Sequence, residues 1–432
     1  MSSRDEQSIS FLNSDTVNDD FFIEIVENAL NITRDKFKLK LVLLSPATGK
    51  NNNYVSVVYR AKIKIKLLES NENKSIDVII KALLTTIKEF KEFSVFPRER
   101  FMYEDIVQSF EEIWYNGTGE KIQFGPKSIK FETEPYEIIV LEDLKAMKYE
   151  MLERTAGLTL EQTKLLLSKL AKFHASSVIR YRKDGIIQKY LDRKASMPPM
   201  DRESPFAASF IRMHNEFIKA LRSYGDCDIY ADKIAKWSMD KMLVSFLEVA
   251  EPTRSGFVAL NHGDLWLNNM MFKFDEKNNP IDVIMYDYQG SFWASPATDV
   301  LYFIISSVSD DIKIDHFDNL IEHYHHELSD SLKRLRYDKH ITTLPELFID
   351  FMEKGHFAAL CLMFILFIVK YDSQEEITLE AMMGLGDQVE ESIVQAMYTR
   401  IYGNETYKKA VKLWLPFLNK RGFLDTLLPN EE

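Results

Sequence analysis

The densest run of chemically versatile side chains is Asn261-His262-Gly263-Asp264-Leu265-Trp266-Leu267-Asn268-Asn269, followed further on by Asp287-Tyr288-Gln289. Between them lie two apolar runs, Met270 to Phe274 and Ile281 to Tyr286, separated by the polar turn Asp275 to Pro280; this is the pattern of a β-hairpin. A hairpin sets the residue entering its first strand beside the residue leaving its second, so Asp264, Asn269 and Asp287 are expected to converge on one small volume. Two carboxylates and an amide make a hard, oxygen-only site, suited to Mg²⁺ with positions left over for phosphate oxygens. His262 is read as a residue that packs and hydrogen-bonds to hold the loop, and Asp282, on the hairpin, as solvent-facing.

The spacing from Asp264 to Asn269 also matches the catalytic loop of kinases, in which the aspartate accepts a hydroxyl proton and the asparagine holds metal. Upstream residues supply what such chemistry requires next. Lys81 ends the apolar strand Ile76 to Leu83, where a lone cation needs a partner, and Glu99 lies in the helical segment Phe96 to Tyr103. A Lys81–Glu99 pair is expected, holding the ammonium against the α- and β-phosphates of a nucleotide. Around Leu141-Glu142-Asp143-Leu144, exposed backbone groups at Glu142 and Leu144 are expected to meet an adenine edge. Before the first strand, Gly49-Lys50-Asn51-Asn52-Asn53-Tyr54-Val55-Ser56 is read as a weak phosphate-covering loop that includes Ser56; a plain polar turn is the competing reading.

The elements that must position these residues fall into two characters. Residues up to Val17 form an expected flexible tail, after which Asn18 or Asp19 caps a helix carrying Phe22, Ile25, Val26, Ala29 and Leu30 at helical spacing. Strands are expected over Tyr54 to Lys66, where Lys alternates with Ile, over Ile76 to Leu83 and over Tyr136 to Leu141, with a helix from Phe90 to about Phe110. Beyond Asp143 the chain turns helical: Thr159 and Gln162 form a capping box, and Leu166, Leu167, Leu170, Ala171 and His174 share one face. The reading is therefore α+β with two lobes, an N-terminal nucleotide-binding lobe over 18–143 built on an antiparallel sheet and a larger helical lobe over 144–432 that holds the catalytic loop and acceptor site.

Composition narrows the class without naming the substrate. The 432 residues carry 54 Lys+Arg against 66 Asp+Glu, a formal charge of -12 that, with no long basic run, argues against nucleic acid as a partner. Cys227 and Cys361 are too few and too far apart for a disulfide framework or thiolate zinc site and fit a reducing, cytoplasmic setting. Met1 to Gln7 has no apolar core behind a basic start, so no targeting segment is expected. The longest apolar run, Phe357 to Val369, falls short of the roughly 18–20 residues of a membrane span and is read as a core helix, with Cys361 a buried hydrophobe and one face free to line a pocket. His323 to His326 is read as a solvated helix face rather than a metal site. Oligomeric state is not encoded in any of these features.

The string His262-Gly263-Asp264-Leu265-Trp266-Leu267-Asn268-Asn269-Met270-Met271-Phe272, with Asp287-Tyr288-Gln289 and Ser295-Pro296-Ala297-Thr298-Asp299-Val300, resembles the ecdysteroid kinase-like (CHK kinase-like) family of arthropods. Upstream, Asn53 to Ser56 with Arg60, Lys81, Phe96-x-x-Glu99-x-x-x-Tyr103, Val140 to Leu144 and Leu170-Ala171-Lys172-Phe173-His174-Ala175 follow the family's order, so the likeness runs from about residue 20 to 425. The resemblance implies a protein-kinase-like fold related to aminoglycoside phosphotransferases and choline kinases, using ATP and Mg²⁺ to phosphorylate a small-molecule alcohol such as an ecdysteroid, another steroid-like compound or a xenobiotic. It implies Asp264 as catalytic base, Asn269 and Asp287 as catalytic metal ligands, Lys81 as the phosphate-positioning lysine with Glu99 its partner, and Asp299 as a brace for the catalytic loop. Asn51 stands where the family has a glycine.

Four other readings are weighed against transfer to a steroid-like or xenobiotic alcohol. A cationic acceptor of the choline or aminoglycoside type would need acidic and aromatic side chains around one pocket, which the sequence does not place. A nucleotide-binding pseudokinase would retain magnesium-dependent ATP binding without transfer. A metal hydrolase on His262, Asp264 and Asp287 leaves Lys81 and Glu99 unexplained. A protein kinase is disfavoured because Asp287-Tyr288-Gln289 replaces the D-F-G motif and no A-P-E follows.

Overall fold

In the computed structural model, residues 17–47, 56–83, 95–134, 136–185, 204–373, 391–425 and 427 are described. The expected tail up to residue 16 and the loop Gly49 to Val55 lie outside them. The chain divides into two units, one of Met1–Ile106 with Gly125–Glu150 and one of Val107–Phe124 with Met151–Glu432.

In the first unit, α1 (Asp19–Leu30) is capped by Asn18, whose side chain accepts the Phe21 N–H at 3.0 Å. Five antiparallel strands follow: β1 (Phe37–Pro46), β2 (Ser56–Leu67), β3 (Asn73–Leu83), β4 (Ser128–Glu132) and β5 (Ile138–Glu142), in the order β1-β2-β3-β5-β4. The Lys/Ile alternation of β2 does what period-two patterning dictates: Ala61, Ile63 and Ile65 are buried while Lys62 and Lys64 are exposed. Those inward residues pack with Phe22, Ile25 and Val26 of α1 and with Val78, Ile80 and Val140 of the neighbouring strands. β1 and β4 add two strands that the sequence reading did not assign.

The second unit is mainly helical. α2 (Leu160–Asp184) starts at the expected capping box, Thr159 with Gln162, and Leu166, Leu167, Leu170, Ala171 and His174 are all buried on it. The hairpin is present as β6 (Met270–Phe274) and β7 (Pro280–Met285), with Met270 opposite Met285. The long apolar run is helical as expected but broken at Ile365 into Gly355–Phe364 and Leu366–Lys370, both buried. Among the described residues no helix is long and apolar enough to cross a membrane.

One ionic cluster ties the far helices of this unit together. The Asp310 carboxylate lies 2.5 Å from Lys313 Nζ and 3.1 Å from Lys370 Nζ, and Lys313 sits 5.3 Å from the Trp414 ring centroid, with both lysines buried. Burial pushes the Lys313 ammonium down to about 8, with Asp310 resisting and the Lys370 charge assisting. An unfolded lysine keeps its proton to about 10.4, so between these values the unfolded chain binds more protons and stability rises with pH. Lys313→Met should flatten that rise, the wild type gaining on the order of 2 kcal/mol relative to the variant between pH 8 and 10 in urea unfolding. Equal slopes in the two proteins would remove Lys313 as its source.

Candidate active site

The loop that carries the polar cluster is pinned at both ends by strand pairs. Ahead of it, β8 (Ala259–Asn261) pairs antiparallel with β9 (Phe292–Ala294), and behind it the hairpin opens with the Tyr286 N–H donating to Asn269 O at 2.9 Å. Residues 262–269 and 286–291 are therefore held side by side, as the hairpin argument requires.

Asp299, in the first turn of the buried helix Ala297–Ser307, clamps the start of the loop. Its Oδ2 accepts the His262 N–H at 2.6 Å and its Oδ1 the Gly263 N–H at 2.9 Å, while His174 Nε2 lies 3.3 Å from Oδ2. The other nitrogen of His174 is 2.7 Å from the Tyr324 hydroxyl, so a chain of buried polar groups backs the clamp. Asn261 Oδ1 in turn accepts the Asp299 N–H at 3.1 Å. His262 packs into the loop: Nε2 is 3.0 Å from Tyr286 O and Nδ1 accepts the Asp264 N–H at 3.4 Å, so both ring nitrogens are engaged within the protein. Gly263 has φ +81, and a Cβ there would lie 1.9 Å from Gly290 O, so no side chain fits where the two loop segments touch.

These supports set Asp264. Its Oδ1 accepts the Tyr302 hydroxyl at 2.6 Å, and its Oδ2 accepts Asn269 Nδ2 at 2.9 Å. The same Nδ2 donates to the Asp264 carbonyl at 2.8 Å, which fixes the amide's orientation and assigns Oδ1 of Asn269 to the opposite direction. Burial raises the Asp264 carboxyl above its usual range and the Asp287 charge adds to this, while the bonds from Tyr302 and Asn269 act against it. Burial also raises Tyr302, with the Asp264 charge assisting, so its hydroxyl keeps the proton it donates. Asp287 has φ 66, a left-handed conformation that costs a non-glycine residue roughly 1–2 kcal/mol and that concentrates at functional sites.

Gly263, Asp264 and Tyr302 form part of the wall of a cavity of about 290 Å³ whose remaining lining includes Phe210, Met213, Phe246 and Phe357. Leu360, Cys361, Phe364, Ile365 and Ile368 complete it, so the apolar run does present one face to a pocket. Cys361 is a buried free thiol there.

In the first unit, Lys81 and Glu99 meet at 2.7 Å with side chains 9% and 1% exposed. β3 delivers the lysine opposite Val58 and Ile139, and the helix Val95–Phe101 delivers the glutamate. Ser56 opens β2, buried and opposite Leu83. Glu142 ends β5 with its backbone N–H on Lys127 O and its carboxylate on the Lys127 N–H, and the Leu144 carbonyl accepts both Met147 and Tyr149 N–H at 3.0 Å. These backbone groups already serve the local turn. Asp143 is buried and ion-paired with Arg60.

Two expectations need correction. Asp282 is not solvent-facing: it is half-buried and pairs at 2.7 Å with Lys169, itself buried. The histidine run is not a solvated face either, since His323 Nε2 lies 2.9 Å from Ser168 Oγ and 3.1 Å from Lys164 O, and His325 Nε2 lies 2.8 Å from Thr342 O; His326 alone of the three is exposed. Among the described residues, no group of three or more His, Cys, Asp and Glu could hold a metal. Tyr302 escaped the sequence reading. The available signal was its place three residues, one helical turn, beyond Asp299, on the face that meets the same loop.

In comparisons with known proteins, residues 50–337 match the model of the ecdysteroid kinase-like family, more than half of the chain. No curated protein matches. The close approach at Gly263 has a measurable consequence. Gly263→Ala should cost well over 2 kcal/mol in denaturant unfolding, because the Gly290 backbone must move, whereas Gly422→Ala, at φ +75 with open space around it, should cost only about 1–2 kcal/mol of backbone strain. Equal costs would show that the contact with Gly290 contributes nothing.

Proposed function

The chain belongs to the ecdysteroid kinase-like family, and from that premise we propose that it transfers the γ-phosphoryl group of ATP to the hydroxyl of a small, largely apolar alcohol, an ecdysteroid or another steroid-like or xenobiotic compound. The observation that carries the reading is the placement of Asp264 on the wall of an otherwise apolar cavity, its carboxylate held from two sides by Tyr302 and Asn269. A hydroxyl presented from the cavity would find an oriented base, and the apolar lining would exclude water from the reacting oxygen.

In this reading the acceptor O–H proton passes to Asp264 as the oxygen bonds to the γ-phosphorus, and the electron pair of the cleaved P–O bond leaves with ADP. Asp264 orients the hydroxyl through the transfer, and its raised proton affinity suits it to receive that proton. Lys81, kept in place by Glu99, would offset negative charge on the nucleotide phosphates. The donor set also fits magnesium: Asn269 Oδ1, turned away from Asp264, and the Asp287 carboxylate are hard oxygen ligands, and phosphate oxygens would complete the shell. Bound there, Mg²⁺ would neutralise phosphate charge.

A cationic acceptor is the weaker reading, because among the described residues Asp264 is the only carboxylate on the cavity wall. We place the reaction in the cytoplasm, where ATP is supplied and the free thiols of Cys227 and Cys361 persist. The purified chain with magnesium and ATP should give mass-shifted products from a panel of ecdysteroids and apolar plant alcohols but not from choline. Asp264→Asn should lower that turnover about 10²- to 10⁴-fold while magnesium-dependent ATP binding persists. Binding without product in the wild type would instead identify a pseudokinase, and undiminished turnover by Asp264→Asn would remove the assigned base.

A further inference from the structure

The lining of the cavity beside Asp264 runs along one helix. Phe357, Leu360, Cys361 and Phe364 stand at positions i, i+3, i+4 and i+7 of the helix Gly355–Phe364, so one face of it runs along the cavity. At the near end Phe357 stacks on Tyr302, with centroids 6.2 Å apart and planes at 20°, and Tyr302 is bonded to Asp264. At the far end Phe364 meets Phe210 at 4.7 Å and Phe246 at 5.1 Å, and those two rings meet each other at 4.6 Å. Seven residues at about 1.5 Å per residue separate Phe357 from Phe364 along the helix by about 10 Å.

We infer that Phe210, Phe246 and Phe364 close the cavity opposite Asp264 and act as a depth gauge, setting how long an apolar body can extend inward from the reacting hydroxyl. The inference rests on the reading of Asp264 as the group that receives that hydroxyl. Three rings in mutual contact resist displacement, because a ligand that pushed between them would forfeit packing that the surrounding core supports. The volume agrees with a short reach: about 290 Å³ is roughly twice the 150 Å³ cavity that holds one benzene. An extended alkyl chain advances about 1.25 Å per carbon, given bonds near 1.5 Å, so the gauge admits about eight carbons. The ligand class is therefore an alcohol whose buried part is an alkyl segment of that length or a compact one- to two-ring body; a larger molecule would insert one end only.

Phe210 is the member to change, since it is half-buried and lies on the helix Pro205–Ser223, outside the loop that holds Asp264. The probes are n-alkan-1-ols from butanol to dodecanol, bound without nucleotide by the full chain and followed by displacement of an apolar fluorescent dye. In the wild type, affinity should rise about fourfold per methylene, the equivalent of ~0.8 kcal/mol per buried CH₂, and then stop rising near eight carbons. Phe210→Ala should move that break two or more carbons longer, and Phe210→Trp should move it shorter, while butan-1-ol binds all three proteins within about twofold. A break at the same length in all three, no break in the wild type, or loss of butan-1-ol binding in both variants would overturn the gauge. Turnover by Asp264→Asn, read separately, decides the catalytic assignment, so a failure of one claim is distinguishable from a failure of the other.

Discussion

The Asp299 clamp is the constraint on which the rest of the site depends. A carboxyl that is 1% exposed must have its oxygens satisfied, and here two consecutive backbone N–H groups bond them while His174 Nε2 lies 3.3 Å from one. Placing the aspartate in the first turn of a helix adds the favourable end of the helix dipole to those bonds. The loop residues it grips cannot drift, because Gly263 is wedged against Gly290 and the two strand pairs fix what comes before and after. Asp264 thus inherits its position from backbone geometry, and Tyr302 and Asn269 have only to fix its rotation.

The two units solve their charge problems by different means. In the first, Lys81 and Glu99 are both withdrawn from water, an arrangement whose desolvation cost often equals what the pairing returns. An apolar pair of similar volume would pack as well, so the ion pair makes physical sense where its ammonium has a further task, which is the role proposed for it. In the second, Asp310 serves two buried lysines at once, and burial, with the Lys370 charge adding to it, depresses Lys313. The same physics of burial gives a functional reading in one place and a structural one in the other, and what separates them is the chemistry expected around each.

Much of this was legible because it is local. The capping box at Thr159, the Lys/Ile alternation of β2 and the hairpin between Asn269 and Asp287 are each written in neighbouring residues, and the convergence of the polar cluster follows from hairpin geometry alone. What escaped is long-range or weakly patterned. β1 alternates Phe37-Lys38-Leu39-Lys40-Leu41, yet it is an edge strand with a bulge between Leu39 and Leu41 and few buried residues, so its periodicity leads to no buried face. Asp282 and Lys169 are distant in sequence, as are His323 and Ser168; each polar residue looked solvated because its partner came from another element. The cavity shows both: the apolar run was legible as a possible pocket wall, but no period connects it to Phe210, Met213 and Phe246, which come from other helices.

The apolar character of that cavity bears on the proposed base as well as on the proposed acceptor. Walls of phenylalanine and isoleucine withdraw solvent from Asp264 and raise its affinity for a proton, which is the direction the general-base role proposed for it needs. Left unopposed, the same withdrawal would leave a carboxylate with no hydrogen-bond donors and favour its protonated form before any acceptor arrived. Tyr302 and Asn269 supply the opposing effect, each donating one hydrogen bond to a different oxygen. Tyr302 joins the two roles in one side chain, since its ring stacks on Phe357 as cavity wall while its hydroxyl stabilises the charged carboxylate. A polar pocket would ease the burden on these two donors, but in the proposed reaction it would also admit water as a competitor for the phosphoryl group, so there an apolar pocket and a doubly supported aspartate are parts of one solution.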